Sequence, residues 1–285
     1  GGVGIFAAFM AASLLQGFSW TEKRSLYLGG IFMFCLGLID DIWRIKPAQK
    51  LLGQIVAATV LLVLGPLLPW TPIAFLNALL TIIWIIGITN AINLLDNMDG
   101  LATGVSLIAA GFFSLILWQN DEMAWAVLSA ALAAALAGFF VYNRNPASIF
   151  MGDCGALFIG YVLSAISLQA ASTAPADRIG ASLAIPVLVL LVPIFDTTFV
   201  TVMRKRAGRP ASQGGRDHTS HRLVLLGWTE WQAVLILMSL AFVAGSLATF
   251  FVLVSAQVAL PVVFLFLVGV ILLGIRLAAV IVYRE

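Results

Sequence analysis

Four short polar stretches interrupt a chain of 285 residues that otherwise avoids polarity. "LGLIDDIWRIKPAQK" sets Asp40 beside Asp41 and follows them with Lys50, and "NAINLLDNMDGLATG" spaces Asn90, Asn93, Asp96 and Asp99 at three-residue steps. "NRNPASIFMGDCG" brings Phe150 and Asp153, and "RDHTSHRL" carries both histidines, His218 and His221, between Arg216 and Arg222. Carboxylates crowded at a low-dielectric boundary repel one another, so they either hold protons or recruit a cation. Hard oxygen donors suit Mg²⁺ or Mn²⁺, which keep waters that a substrate phosphate can replace. Arginines and imidazoles beside glycines suit phosphate oxygens. Acid, metal and cation together make an inventory for phosphoryl transfer.

Each stretch also has a plainer reading. Adjacent aspartates on a helix point about 100° apart, so Asp40 and Asp41 serve two partners rather than one, and a solvated helix end would look the same. Asparagines in a membrane can simply glue helices, although four polar groups on one winding stripe exceed what glue needs. Asp153 before an apolar run could be an N-cap, and Phe150 reads first as a membrane-interface aromatic. His218 and His221 form half a zinc site with no Cys pair or third His to complete it. Arg204, Lys205 and Arg206 read as an anchor at the membrane surface.

The elements that must hold these groups are membrane helices. Charged residues are 10% of the chain and apolar ones 62%, with a mean hydropathy of +1.07, whereas soluble domains carry about 25% charge. Ten apolar runs recur at about 2–19, 26–39, 51–68, 73–90, 101–118, 123–141, 155–171, 181–203, 231–254 and 259–283. Hydrocarbon cannot satisfy free backbone groups, and the runs are continuous rather than alternating, so helices are expected and not a barrel. The fold class is therefore all-α: a polytopic bundle forming a single membrane domain over 1–285. Loops 40–50, 91–100, 142–154 and 204–230, with the C-terminus, hold eleven Lys and Arg (Arg284 among them). The opposite loops hold Lys23, Arg24 and Arg178. The positive-inside rule places the first set in the cytoplasm, and with it all four polar stretches. A net charge of +2 does not point to nucleic acid, and two cysteines on distant segments do not form a disulfide framework.

The quoted stretches, in this order and spacing, resemble the motifs of the polyprenyl-phosphate N-acetylhexosamine-1-phosphate transferases, across residues 1 to about 225. That superfamily includes GlcNAc-1-phosphate transferases and the phospho-MurNAc-pentapeptide translocase. The resemblance implies a bacterial plasma-membrane enzyme, working on the cytoplasmic face, that moves a sugar 1-phosphate from a UDP-N-acetylhexosamine to undecaprenyl phosphate and releases UMP. Mg²⁺ or Mn²⁺ is the implied cofactor and a homodimer is a further expectation. It also implies roles. Asp153 ligates the metal, helped by Asn93; Asp40 orients or deprotonates the lipid phosphate, Asp41 assists, and Lys50 faces that phosphate. Asn143, Phe150, Asp96 and Asp99 contact the nucleotide, while His218, His221 and Arg222 meet the sugar-pyrophosphate end. The opening "GG" heads the second helix of relatives, so one upstream helix, and eleven spans, are expected of the full protein.

Two departures matter: Ser220 stands where many relatives have the middle His of a His-x-His-His loop, and Cys154 where Ser or Thr is usual. The simple His loop, with no added soluble domain, leans toward a GlcNAc-1-phosphate donor, the MurNAc-pentapeptide donor being the alternative. An ion-coupled transporter would place its acids near mid-membrane in paired repeats, which this chain lacks. A CDP-alcohol phosphatidyltransferase would need an acidic run that is absent.

Overall fold

The computed structural model describes residues 1–15, 20–173, 179–210 and 214–282. Each apolar run is helix over most of its described residues, as hydrocarbon demands of a backbone that must satisfy itself. In chain order the helices are α1 (Gly2–Leu15), α2 (Trp20–Trp43), α3 (Pro47–Leu64), α4 (Ala74–Leu95), α5 (Leu101–Gln119) and α6 (Met123–Asn143). They continue with α7 (Gly152–Ser172), α8 (Ile179–Val189), α9 (Leu191–Arg206), the short α10 (Thr219–Leu225), α11 (Glu230–Leu253) and α12 (Ala256–Ala278). Among the described residues, eight helices are long and apolar enough to cross a membrane, and nine if the bent pair α8–α9 counts as one span. The chain is a multi-pass membrane protein.

The ten expected spans stand against these eight or nine among the described residues. The described part of the first run is the helix Gly2–Leu15, and the eighth run is broken by 75° between α8 and α9. The break has a local cause: Pro186 lies inside α8 and Pro193 in the first turn of α9, and neither can donate to the carbonyl a turn earlier. The end of the first run (16–19), Arg178 and Arg284 lie outside the described residues. The loops also shrink. Asp40 and Asp41 sit on the last turn of α2, Lys50 on the first turn of α3, and Asn90 and Asn93 on α4.

α7 is the hub of the bundle. It is buried along nearly its whole length, packed by α2 and α4, then by α1, α5 and α8. Small residues allow this approach. A Cβ on Gly160 would lie 2.6 Å from the Thr89 Cα of α4, so the two backbones nearly touch there. Polar side chains tie the same helices: Tyr161 donates to the Ser25 carbonyl at 2.9 Å, and Trp84 Nε1 to Ser167 Oγ at 2.8 Å. Asn90 belongs to this set and not to the site, because it exchanges two hydrogen bonds with the buried Gln54 of α3, at 2.7 and 3.1 Å. For Asn90 the plainer reading as helix glue holds.

Up-and-down connection brings the ends of α2, α4 and α6 and the starts of α3, α5 and α7 to one pole of the bundle. Gly160→Val, wedged between α4 and α7, is expected to cost about 1–3 kcal/mol of stability by overpacking. Thermal unfolding in detergent micelles should show a clear drop, whereas Gly87→Val, whose Cβ meets open space, should melt near the wild type.

Candidate active site

The site is organised by one ammonium. Lys50 Nζ lies 2.9 Å from Asp40 Oδ2 and 2.8 Å from Asp153 Oδ2, and it donates to Asn93 Oδ1 at 3.3 Å. Asn93 completes the ring by donating from Nδ2 to Asp153 Oδ1 at 2.7 Å. Four helices, α2, α3, α4 and α7, thus each send one side chain to a common point. Asp40 is fixed further by the Ile45 N–H, which donates to Oδ1 at 2.9 Å just after α2 ends.

Asp41 faces elsewhere. Its Oδ1 accepts from the Asp153 N–H at 2.7 Å and its Oδ2 from the Cys154 N–H at 3.0 Å, so it caps α7 from another helix. Asp153 is therefore not its own helix's cap, and its carboxylate stays available to Lys50 and Asn93. Gly152 must be glycine for this clasp: its φ is +71°, and a Cβ would lie 2.9 Å from Asp41 Oδ2. The expectation that adjacent aspartates serve different partners is met, although the partner of Asp41 is backbone.

Asp96 ends α4, half-buried, without a hydrogen-bond partner among the described residues. Burial, and after it the charges of Asp153, Asp99 and Asp41, push its carboxyl up to about 6. It lines a cavity of about 160 Å³ with Asn97, Met98, Asp99, Asn143 and Phe150. Phe150 stands exposed at that cavity, 69% accessible as a residue. Asp99 and Asn143, both expected at the nucleotide, chiefly hold the loop that presents Phe150. Asp99 Oδ2 accepts from the Ala147 N–H at 2.9 Å, and buried Asn143 accepts from Thr103 at 2.6 Å while donating to the Ile149 carbonyl at 3.0 Å.

The histidine segment adjoins this cavity. Ser220 Oγ donates to Asn97 Oδ1 at 2.7 Å, tying α10 to the loop between α4 and α5. His218 is buried with Nδ1 2.7 Å from Asp196 Oδ2. The His221 ring lies 6.4 Å from it, and burial, then the charges of His218 and Arg216, hold its imidazole below its ordinary pKa. Arg222 corrects an expectation. It is 1% exposed and donates to the carbonyls of Asp217, Leu277 and Val280, so it closes the C-terminal end of α12 and is not turned to a sugar pyrophosphate. Arg204 departs from its reading as an anchor, being buried in a two-bond pair with Asp217 at 2.6 and 2.7 Å. Sequence reasoning passed over Asp196 and Asp217. Asp196 had a signal, as a lone acid inside the apolar run "LLVPIFDTTFV".

Among the described residues no three His, Cys, Asp or Glu side chains converge as a ready cation cage. The oxygens that do converge, from Asp40, Asp153 and Asn93, close on the Lys50 ammonium.

A helical membrane bundle with one acid-rich, histidine-flanked pole defines a class that the comparisons identify. Residues 24–171 match the model of glycosyl transferase family 4. The chain is 34% identical over 253 residues to a probable undecaprenyl-phosphate N-acetylglucosaminyl 1-phosphate transferase of Bacillus subtilis, covering 85% of this chain and 70% of that one. It is 35% identical to a decaprenyl-phosphate N-acetylglucosaminephosphotransferase of Mycolicibacterium smegmatis, over 82% of this chain and 66% of the relative. A phospho-N-acetylmuramoyl-pentapeptide-transferase of Halalkalibacterium halodurans is 30% identical over 88% and 82% of the two chains. The chain belongs to glycosyl transferase family 4 and is a transferase.

The Asp96 shift gives a pH test. Because its folded pKa is raised from 3.8 to about 6, the folded chain holds this proton more tightly than the unfolded chain. That contribution is fully present below pH about 4 and lost as pH rises through about 6. Asp96→Asn is therefore expected to raise the melting temperature of the metal-free protein at pH 7.5 and to match the wild type near pH 4, measured by melting curves across that range.

Proposed function

We propose that this chain transfers N-acetylglucosamine 1-phosphate from its UDP-activated sugar to undecaprenyl phosphate on the cytoplasmic face of the plasma membrane, releasing UMP. The observation that carries this reading is the Lys50-centred cluster at the polar pole, in a bundle that also has an apolar groove along another face of α4. Trp70, Leu80, Ile83, Trp84, Gly87, Ile88 and Ala91 of the α4 side and Val187, Ile194, Thr197 and Thr198 of the broken α8–α9 pair line a groove of about 300 Å³. Its α4 wall ends two residues before Asn93. A polyprenyl chain in such a groove would deliver its phosphate to the acid pole. The names of the Bacillus and Mycolicibacterium relatives support both the prenyl phosphate and the N-acetylglucosamine.

The reaction needs little proton abstraction. A phosphate monoester has its second pKa near 6, so at neutral pH the acceptor is already mostly a dianion. One of its oxygens attacks the β-phosphorus of the donor in line, the bond from that phosphorus to the bridging oxygen breaks, and UMP leaves as a monoester. Lys50 offsets the charge of the incoming phosphate, and Asp40 fixes Lys50. Asp41 does not serve as a nucleophile, because both its oxygens are engaged by the first amides of α7. Phe150 and Asp96 receive the nucleotide in the cavity between them.

Mg²⁺ or Mn²⁺ fits the donor set in chemistry, since hard oxygens of Asp153 and Asn93 lie together, and in number only if water and diphosphate oxygens fill the remaining positions. When bound, such an ion neutralises diphosphate charge.

Asp153→Asn is expected to lower turnover at least about 10³-fold, whereas Asp41→Asn, still able to accept one amide, should retain measurable turnover, lower by about 10- to 150-fold at most, one charged hydrogen bond being worth about 1.5–3 kcal/mol. Recovery of a phosphorylated Asp41 peptide from a trapped reaction would overturn the direct attack. Gly87→Phe should raise the KM for undecaprenyl phosphate and leave that for a short-chain prenyl phosphate unchanged. Purified protein given UDP-GlcNAc and UDP-MurNAc-pentapeptide, with lipid products identified by mass, tests the donor: a product from the pentapeptide donor alone would refute the assignment.

A further inference from the structure

Asp196 is an ionisable group deep in the apolar part of α9, 1% exposed, and no step above uses it. Three donors converge on it. Its Oδ1 accepts from the Thr219 N–H at 2.8 Å and the Thr219 hydroxyl at 2.6 Å, and its Oδ2 meets His218 Nδ1 at 2.7 Å. A carboxylate engaged in this way accepts only, so Nδ1 must carry the hydrogen. Nε2, on the opposite side of the ring, then holds the lone pair when His218 is neutral and a second N–H when it is protonated. Among the described residues no protein group meets Nε2, and it is not a sealed buried atom. The Asp196 carboxylate also bonds the first amide of α10, the helix that Ser220 ties to Asn97 at the nucleotide cavity. One buried acid thus sets both the tautomer of His218 and the placement of the segment that carries it.

We infer that Asp196 is a positioning residue for transfer, holding His218 with Nδ1 protonated so that Nε2 faces the donor diphosphate. This rests on the reading given under Proposed function. The protonated ring donates from Nε2 to an oxygen of the departing nucleotide phosphate. No proton need change hands, because UMP leaves as a monoester with a second pKa near 6. In Asp196→Asn the amide NH₂ can turn to Nδ1, and the ring then takes the opposite tautomer and loses its counter-charge.

The chain's two histidines make the test direct. Nitrogen NMR of the full chain in micelles, with isotope-labelled histidine and His221→Gln to assign the peaks, reads each ring nitrogen. The expected wild-type result is His218 with Nδ1 protonated throughout the folded pH range, and a switch to protonated Nε2 in Asp196→Asn. Steady-state kinetics of that variant should show kcat lower on the order of 10²-fold with the donor KM within about threefold. The same substitution should add nothing in a His218→Ala background, whereas a merely structural role would give additive losses. A wild-type His218 lacking the Nδ1 hydrogen, a switched tautomer with kcat within threefold of wild type, or additive losses would overturn the assignment. Should Asp196→Asn not fold, the wild-type tautomer and Asp196→Glu, expected to retain the protonated Nδ1 and part of the turnover, decide the matter. A wild type that transfers no sugar phosphate from any UDP-sugar sinks the proposed function and this inference with it, whereas active wild type with the wrong tautomer sinks this inference alone.

Discussion

Two carboxylates on different helices can share the low-dielectric edge of a membrane only if a cation stands between them. Lys50 is that cation, and much of the pole's architecture follows from it. Its stem climbs from the start of α3, a helix that opens with Pro47, where a missing N–H costs nothing. The side chain reaches Asp40 at the end of α2, Asp153 at the start of α7 and Asn93 near the end of α4. Removing the ammonium would leave Asp40 and Asp153 facing one another with no offset, and three helix ends would lose their common contact. Asp41 adds the second lock. It grips the first amides of α7, where the helix dipole favours an anion, so the backbone that carries Asp153 cannot drift from α2.

Around this fixed point the structure sorts polar residues into those that build and those that face the cavity. Asn90, Asn143, Asp99, Arg204, Asp217 and Arg222 have their hydrogen-bonding capacity taken up largely by helix partners, loops and helix ends. Asp96 and His221 keep theirs free of hydrogen-bond partners among the described residues. Asp96 shows the difference in its titration: a carboxyl without hydrogen-bond donors among the described residues, buried and near three other acids, is pushed up to about 6.

Much of this was legible before any coordinates. Continuous apolar runs and scarce charge give a helical membrane bundle on hydropathy alone, and the alternation of polar and bland loops gathers the four polar stretches at one pole. What could not be read were contacts that cross elements. Asp41 and Asp40 are neighbours of one type, and only the position of α7 makes one a cap and the other a partner of lysine. Arg222 lies in a cationic loop, where an arginine closing a helix end spells the same as one gripping phosphate. Asn90 and Asn93 share a stripe, yet α3 offers Gln54 to the first and Lys50 to the second. The bend in the eighth run has a local reason, since Pro186 and Pro193 break a run whose hydropathy is uninterrupted.

That break leaves a mark on what the bundle can distinguish. Because α9 leans away from α8, the wall beside α4 is a trough whose rim residues Ile83 and Thr198 are exposed on the outer surface. A trough open along its flank cannot gauge how long its occupant is. On the proposed function, the far end of a prenyl chain lying in it would continue among neighbouring acyl tails, and selection would rest on the phosphate head and the few carbons behind it.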